Sequence, residues 1–147
     1  AAQLAGERRD ACETDSPTHT VFAHLYDRLA AACCWFRTQR NVAAWIEGVH
    51  GYMEAEDDAT KAACRELVRE TVLDEKANAG ELLRHTESAQ TEWMLTSAVG
   101  ETTFIYGDNF ADLLRRKIEL MEGRENDEPF VDPDFMWRVP GINYPAS

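Results

Sequence analysis

The chain has 147 residues, of which 44% are hydrophobic and 29% charged, and its formal net charge is -12. This composition is typical of one folded domain and argues against global disorder. The negative charge repels phosphate backbones and anionic lipid, so we predict no nucleic-acid partner. No apolar run approaches the ~20 residues of a membrane helix, so we predict no membrane insertion.

The four cysteines, Cys12, Cys33, Cys34 and Cys64, form no CxxC pair. Cys33 and Cys34 are adjacent and point about 100° apart on a helix, which places them poorly for a mutual disulfide. We therefore predict reduced thiols in a reducing aqueous compartment, either the cytoplasm or an organelle matrix. No ligand pair has the short spacing typical of a zinc site.

Residues 1–15 are polar, and we predict a flexible segment there. Ser16 and Pro17 are a helix start signal, with Ser at the cap and Pro in the first turn. The first long helix is predicted over residues 17–38. Its large apolar side chains recur on one stripe, which should face the core: Val21, Leu25, Leu29, Ala32, Trp35 and Phe36.

A second helix is predicted over residues 41–56. Its apolar stripe consists of Val42, Trp45, Ile46, Val49, Tyr52 and Met53. Gly48 and Gly51 weaken this helix by roughly 1 kcal/mol each relative to Ala. They either permit close approach of another helix or mark a kink, and we favour close approach.

Asp57 and Asp58 are suited to cap a third helix, predicted to continue to about Thr86. Residues 87–99 keep the helical period but are rich in Ser and Thr, so they continue this helix or form another after a short break. Residues 100–110 break the pattern, and a packed connecting loop explains them more simply than a ligand loop.

Asp108 or Asn109 should cap a fourth helix over residues 110–123. This gives an all-α chain: a bundle of four or five helices over residues 16–124, with one irregular loop. Residues 125–147 contain Pro and many large apolar groups, which predicts an extended tail docked on its own helices or on another chain.

Three charged residues fall within predicted apolar stripes, namely Arg28, Glu75 and Lys117. A carboxylate in an apolar stripe needs a partner, because ionised groups are almost never fully buried alone. The simplest interpretation is an ion pair of Glu75 with Arg28 or Lys117. The alternative is a polar pocket in which Glu75 is a catalytic acid or base, and Asn78, His24, Arg28 and Lys117 bind a ligand.

No metal site and no cofactor are predicted. Di-metal helical bundles use Glu-x-x-His pairs that project inward, and the one such pair, Glu47 and His50, falls opposite its helix's apolar stripe. Glu81 and His85 are four residues apart and are also predicted to avoid the core. Glycine-rich phosphate loops and a GxSxG motif are absent from the sequence.

These features favour a helical accessory or interaction module, a small acidic subunit or a helical domain of a larger assembly. The absence of catalytic motifs and the aromatic content, with four Trp, four Tyr and six Phe, support this hypothesis. A protein partner or a homo-oligomer is expected. The predicted interface residues lie in the tail: Phe130, Phe135, Trp137 and Tyr144. A small helical enzyme or ligand binder that uses Glu75 is the alternative, and a di-metal carboxylate bundle is a less favoured one.

Overall fold

The computed structural model describes residues 1–14, 16–89 and 109–131, and within these ranges the chain is all-α. It contains four helices there: α1 (Ala2–Asp10), α2 (Pro17–Glu54), α3 (Asp58–Ser88) and α4 (Phe110–Met121). None of the described helices is both long and apolar enough to cross a membrane. Residues 100–108 of the predicted loop, and residues 90–99 before it, lie outside the described residues.

The predicted starts of two helices are confirmed. The Ser16 side chain accepts a hydrogen bond from the backbone amide of His19, and Pro17 occupies the first turn of α2. The Asp57 side chain likewise accepts from the backbone amide of Thr60 at the start of α3. Each cap satisfies one of the amides that a helix leaves unpaired at its amino terminus.

The prediction of two separate helices over residues 17–56 is wrong, because α2 runs unbroken from Pro17 to Glu54. Gln39 and Arg40 are good helix formers, so nothing local interrupts the backbone there. Asn41, which resembles a capping residue, is buried inside the helix and hydrogen-bonds to α3 instead. The amino-terminal segment, predicted as flexible, also contains a helix, α1.

Helix α3 runs antiparallel to α2 after a three-residue connection, α1 packs on α2, and α4 packs on α3. The contact of α2 with α3 is close at two glycines. A Cβ at Gly48 would lie 2.6 Å from Cγ2 of Val68, and a Cβ at Gly51 would lie 2.8 Å from Sγ of Cys64. The prediction of close helix approach at these glycines is therefore confirmed.

The face of α2 that packs on α3 carries small and polar residues. The buried residues of α2 are Ala23, Asp27, Ala31, Cys34, Asn41, Gly48 and Val49. These side chains are small enough to let the two backbones approach. The core between α2 and α3 is consequently thin, and α3 contributes Val68 and Ala79 to it.

The predicted core stripe of α2 is largely exposed, which corrects the expectation that it packs inward. The outer face, as we call this surface, consists of large apolar side chains between 39% and 64% exposed: Val21, Leu25, Trp35, Phe36, Val42, Ile46 and Met53. They span about 120° of the helix circumference, opposite the buried small residues. Helix α3 therefore packs on the small face of α2. Among the described residues the large face is mostly exposed, and Val42 at its edge also lines a groove with residues of α3 and α4.

Candidate functional site

Helices α2, α3 and α4 meet at the Glu75 carboxylate. Glu75 lies mid-way along α3 on the side that faces α2, and its side chain is 10% exposed. From α2, Thr38 Oγ1 donates to Oε1 at 2.8 Å and Asn41 Nδ2 donates to Oε2 at 2.8 Å. From α4, the Lys117 ammonium donates to Oε1. The carboxylate thus has donors on both oxygens, as a buried charge requires.

The pKa of Glu75 reflects two opposing effects. Burial raises the pKa of this carboxyl, but the hydrogen bonds from Lys117, Thr38 and Asn41 outweigh burial and hold it below the ordinary value. Glu75 is consequently ionised at neutral pH. It has no proton to donate there, and its low basicity and occupied lone pairs make it a weak proton acceptor.

Asn78 lies one turn after Glu75 and is 1% exposed. Its Nδ2 donates to the Cys34 carbonyl at 2.9 Å and to Thr38 Oγ1 at 3.0 Å, and it lies 3.5 Å from Glu75 Oε2. If the oxygen and nitrogen of the Asn78 amide were exchanged, the oxygen would lie against the Cys34 carbonyl and the Glu75 carboxylate and repel both. The orientation of this amide is therefore fixed. Its Oδ1 has no hydrogen-bond partner among the described residues.

A surface ion cluster continues from the buried one through Asn41. Asn41 Nδ2 also donates to Asp74 at 2.9 Å, and Asp74 binds both Arg37 and Arg40. The Arg37 hydrogen bond is the largest cause that lowers the pKa of Asp74 to about 2, against the opposing effect of burial. One amide therefore joins a solvent-facing carboxylate to the buried carboxylate of Glu75.

A groove of about 280 Å³ lies beside this cluster. Its walls are mostly apolar and come from three helices, with Val42 and Trp45 from α2, Val72 from α3, and Leu120 and Met121 from α4. Glu75, Lys117 and Arg124 are among its polar lining residues. A mostly apolar molecule with a polar group matches this lining.

The predicted ligand-binding residues divide into two groups. Glu75, Asn78 and Lys117 come together, and of the two cations considered as partners of Glu75 the structure selects Lys117. Arg28 and His24 are exposed on α2 and are not part of this cluster. The reason is the helix phase: they share the side of the outer face, and Arg28 precedes Thr38 by ten residues, or about 15 Å along the helix.

Only one predicted interface residue lies within the described part of the chain. Phe130 is 71% exposed. Phe135, Trp137 and Tyr144 lie outside the described residues. The start of the tail contacts the hairpin of α2 and α3, since Glu128 binds Tyr52 and Arg65.

A second polar pocket, of about 320 Å³, was not predicted from the sequence. Its lining residues come from α1, α2 and α3, and they are Arg9, His19, Ala23, Tyr26, Asp27, His85 and Ser88. His85 Nε2 lies 2.8 Å from the backbone oxygen of Asp27, so the prediction that His85 avoids the core is wrong. The sequence signal for the buried side of α2 is a 4-3-4-3 spacing of small or polar residues, which was missed. These residues are Asp27, Ala31, Cys34, Thr38 and Asn41.

Within residues 1–14, 16–89 and 109–131, no group of three or more His, Cys, Asp or Glu side chains is arranged to hold a metal ion. Glu47 and His50 are both exposed on α2. The four cysteines are free thiols.

Comparisons with protein-family models, with curated proteins and with solved structures found no match to this chain.

Proposed function

We propose that this chain is a helical accessory or interaction module that binds an apolar helix of a protein partner through the outer face of α2. The observation that carries the proposal is the exposure of seven large apolar side chains on one side of a single 38-residue helix. Large contiguous apolar patches on a folded chain mark interaction sites.

The predicted tail is part of the same proposal. The helices form a bundle of four or five members, and residues 125–147 extend from it as a docked segment. The contacts of Glu128 with Tyr52 and Arg65 support this arrangement, because they hold the start of the tail against the end of the α2–α3 hairpin. The interface role of Phe130, Phe135, Trp137 and Tyr144 belongs to this part of the proposal.

The partner we propose is a protein, and not a nucleic acid. The net charge of -12 supports this choice, since a phosphate backbone would be repelled. The free thiols support a reducing compartment for the complex.

The test compares substitutions on the outer face with one in the core. Phe36→Gln and Met53→Gln should change the free energy of unfolding by less than about 0.5 kcal/mol, because both side chains are mostly exposed. Val68→Ala, in the α2–α3 contact, should lower it by about 2 kcal/mol. Urea unfolding of the full chain, at a concentration at which sedimentation shows a monomer, gives all three values. Outer-face losses as large as that of Val68→Ala would show that the chain covers this face itself, and the proposal would fail.

The groove beside Glu75 supports a second candidate function, the binding of a small ligand with an apolar body and a polar group. Trp45 and Leu120 supply apolar walls. The Glu75–Lys117 pair and Arg124, which is itself bound to Asp127, supply polar atoms. The acid–base role considered for Glu75 has less support, because its pKa is lowered and its oxygens are occupied.

This second candidate is tested with the anionic apolar dye anilinonaphthalene sulfonate. Leu120→Asp places a charge in the groove wall and should abolish the dye fluorescence that the groove produces. Leu113→Asp is the matched control, because Leu113 is also exposed on α4 but does not line the groove. Equal fluorescence in both variants and in the unmodified chain would exclude dye binding at the groove.

A further inference from the structure

The polar pocket formed by α1, α2 and α3 is separate from the groove beside Glu75 and differs from it in character. Its volume is about 320 Å³, and it shares no lining residue with the groove. Cavities of this size accommodate small molecules. Polar side chains form most of its wall: Arg9, His19, Tyr26, Asp27, His85 and Ser88. Such a wall suits a polar ligand, because the ligand's polar groups find hydrogen-bond partners there.

A guanidinium group forms part of the pocket wall. Arg9 lies over the ring of Tyr26, with 4.6 Å between the guanidinium carbon and the ring centroid, and its Nε donates to Asp10 at 2.8 Å. These two contacts hold the side chain in place. Among the described residues, Nη1 and Nη2 of Arg9 take part in no hydrogen bond. The N–H donors of these two nitrogens thus remain for a ligand, in a planar arrangement that matches a carboxylate.

A carboxylate also lines the pocket. The side chain of Asp27, on α2, is 8% exposed. Of the described carboxylates, Arg9 pairs with Asp10 and not with Asp27. The hydrogen bond to Asp10 is the main cause that raises the pKa of Arg9, and the nearby charge of Asp27 adds to it. A carboxylate can accept several hydrogen bonds, because each oxygen has two lone pairs. Two opposite charges therefore line one cavity without pairing with each other.

We propose that this pocket binds a free amino acid, with the carboxylate of the ligand on Arg9 and its ammonium group on Asp27. A zwitterion of this kind meets an opposite charge at both ends. A simple anion would lie beside the Asp27 carboxylate and a simple cation beside the Arg9 guanidinium, so each would be repelled by one of the two groups. The inference does not depend on the outer face of α2.

Two imidazoles and two hydroxyl groups supply hydrogen-bonding atoms for the rest of the ligand, namely those of His19, His85, Tyr26 and Ser88. The wall is held in place before a ligand arrives. His85 Nε2 donates to the backbone oxygen of Asp27 at 2.8 Å, since that oxygen can only accept. His85 also packs edge-on against Tyr26, with 5.7 Å between ring centroids, and a Cβ at Gly6 would lie 3.2 Å from the Tyr26 ring. A preformed wall lowers the entropic cost of binding.

The experiment measures the binding of the standard L-amino acids to the full chain of 147 residues by amide chemical-shift titration at neutral pH. For an amino acid that binds, the matching amine without the carboxylate and the matching acid without the ammonium group are titrated as well. Arg9→Gln removes the proposed contact with the ligand's carboxylate. Arg8→Gln is the matched control, because it makes the same charge change at the neighbouring, exposed position of α1 outside the pocket.

We expect at least one amino acid to bind with a dissociation constant of about 1 mM or below, and both single-charge analogues to bind at least about tenfold more weakly. Arg9→Gln should weaken binding of the amino acid by at least about tenfold, because a charge-assisted contact is lost. It should not weaken binding of the amine, which has no group for Arg9 and is freed from its repulsion. Arg8→Gln should change neither. Asp27→Asn should weaken the amino acid in the same way and not the acid.

The absence of binding by any of the amino acids at about 10 mM would overturn the proposal. An acid or amine that binds as tightly as the amino acid would also overturn it, since the pocket would then recognise one charge only. Equal weakening of the amino acid and the amine by Arg9→Gln would show that Arg9 holds the pocket together and does not bind the ligand. Shifts confined to the groove beside Glu75 would place the ligand there and would equally overturn the proposal. If circular dichroism shows that Asp27→Asn does not fold, the Arg9 comparison decides alone.

Discussion

Replacing Lys117 with Met tests the energetic role of the Glu75 ion pair. Removing one partner of a fully buried pair costs about 3–5 kcal/mol, because the remaining charge is left uncompensated. The Lys117 side chain is 37% exposed and that of Glu75 is 10% exposed, so water screens one side of this pair. Thr38 and Asn41 continue to donate to the carboxylate. We therefore expect Lys117→Met to lower the free energy of unfolding by about 2 kcal/mol at neutral pH.

The loss should depend on pH with a definite sign. In the unmodified chain the pKa of Glu75 is lowered, so the stabilisation is present above the ordinary value of 4.5 and is lost as the pH falls through the folded-state pKa. In Lys117→Met, burial remains while the ammonium is gone, so the pKa of Glu75 rises relative to the unmodified chain. Protonation then relieves the variant, and its deficit should shrink as the pH falls from about 7 to about 4.

Urea unfolding followed by circular dichroism across this pH range measures the deficit. The double variant Glu75→Gln/Lys117→Met is the control, because an amide keeps an acceptor for Thr38 or Asn41 but does not titrate. Because the glutamine does not titrate, the double variant should not gain stability on acidification as Lys117→Met does. A deficit of Lys117→Met below about 0.5 kcal/mol at every pH would refute the reasoning, since it would mean that solvent screens the pair completely.

Two further predictions concern the contact of α2 with α3. Gly48→Ala places a Cβ 2.6 Å from Val68 Cγ2 and should lower the free energy of unfolding by about 1–2 kcal/mol. Gly80→Ala should raise it by about 0.5–1 kcal/mol, because its Cβ would have no neighbour nearer than 3.7 Å. Urea unfolding that moved both free energies in the same direction would contradict this. Iodoacetamide should modify the exposed Cys33 in the folded chain and spare Cys34, because burial raises the pKa of the Cys34 thiol to about 11. Mass spectrometry of the labelled peptides measures both rates, and equal rates would disprove this prediction.

Local sequence signals were sufficient to predict most helix ends. The caps at Ser16 and Asp57 depend on one side chain and the backbone three residues later, so they are readable from the sequence. The helix at Ala2–Asp10 was not predictable in this way, because a nine-residue helix is marginal by itself. It is stabilised by contacts with Tyr26, against which Gly6 packs and over whose ring Arg9 lies at 4.6 Å.

The candidate site was predicted only in part, because only some of its residues are recognisable from the sequence pattern. Glu75 stands out as a carboxylate within an apolar stripe, and the need for a cation directs attention to Lys117. Thr38 and Asn41 were missed because polar residues of moderate size give no sign of burial by themselves. Only the fold shows that their side of α2 faces α3, where each donates to Glu75.

The assignment of faces on α2 was the largest error, and it is also the most informative. The rule that large apolar side chains are buried assumes that one chain supplies all of its own core. The α2–α3 contact instead depends on close approach at Gly48 and Gly51, which large side chains on that side would prevent. One helix therefore carries small residues where α3 approaches and large apolar residues on the outer face. Large apolar side chains remain exposed there among the described residues, which is why the comparison of Phe36→Gln with Val68→Ala is the decisive measurement.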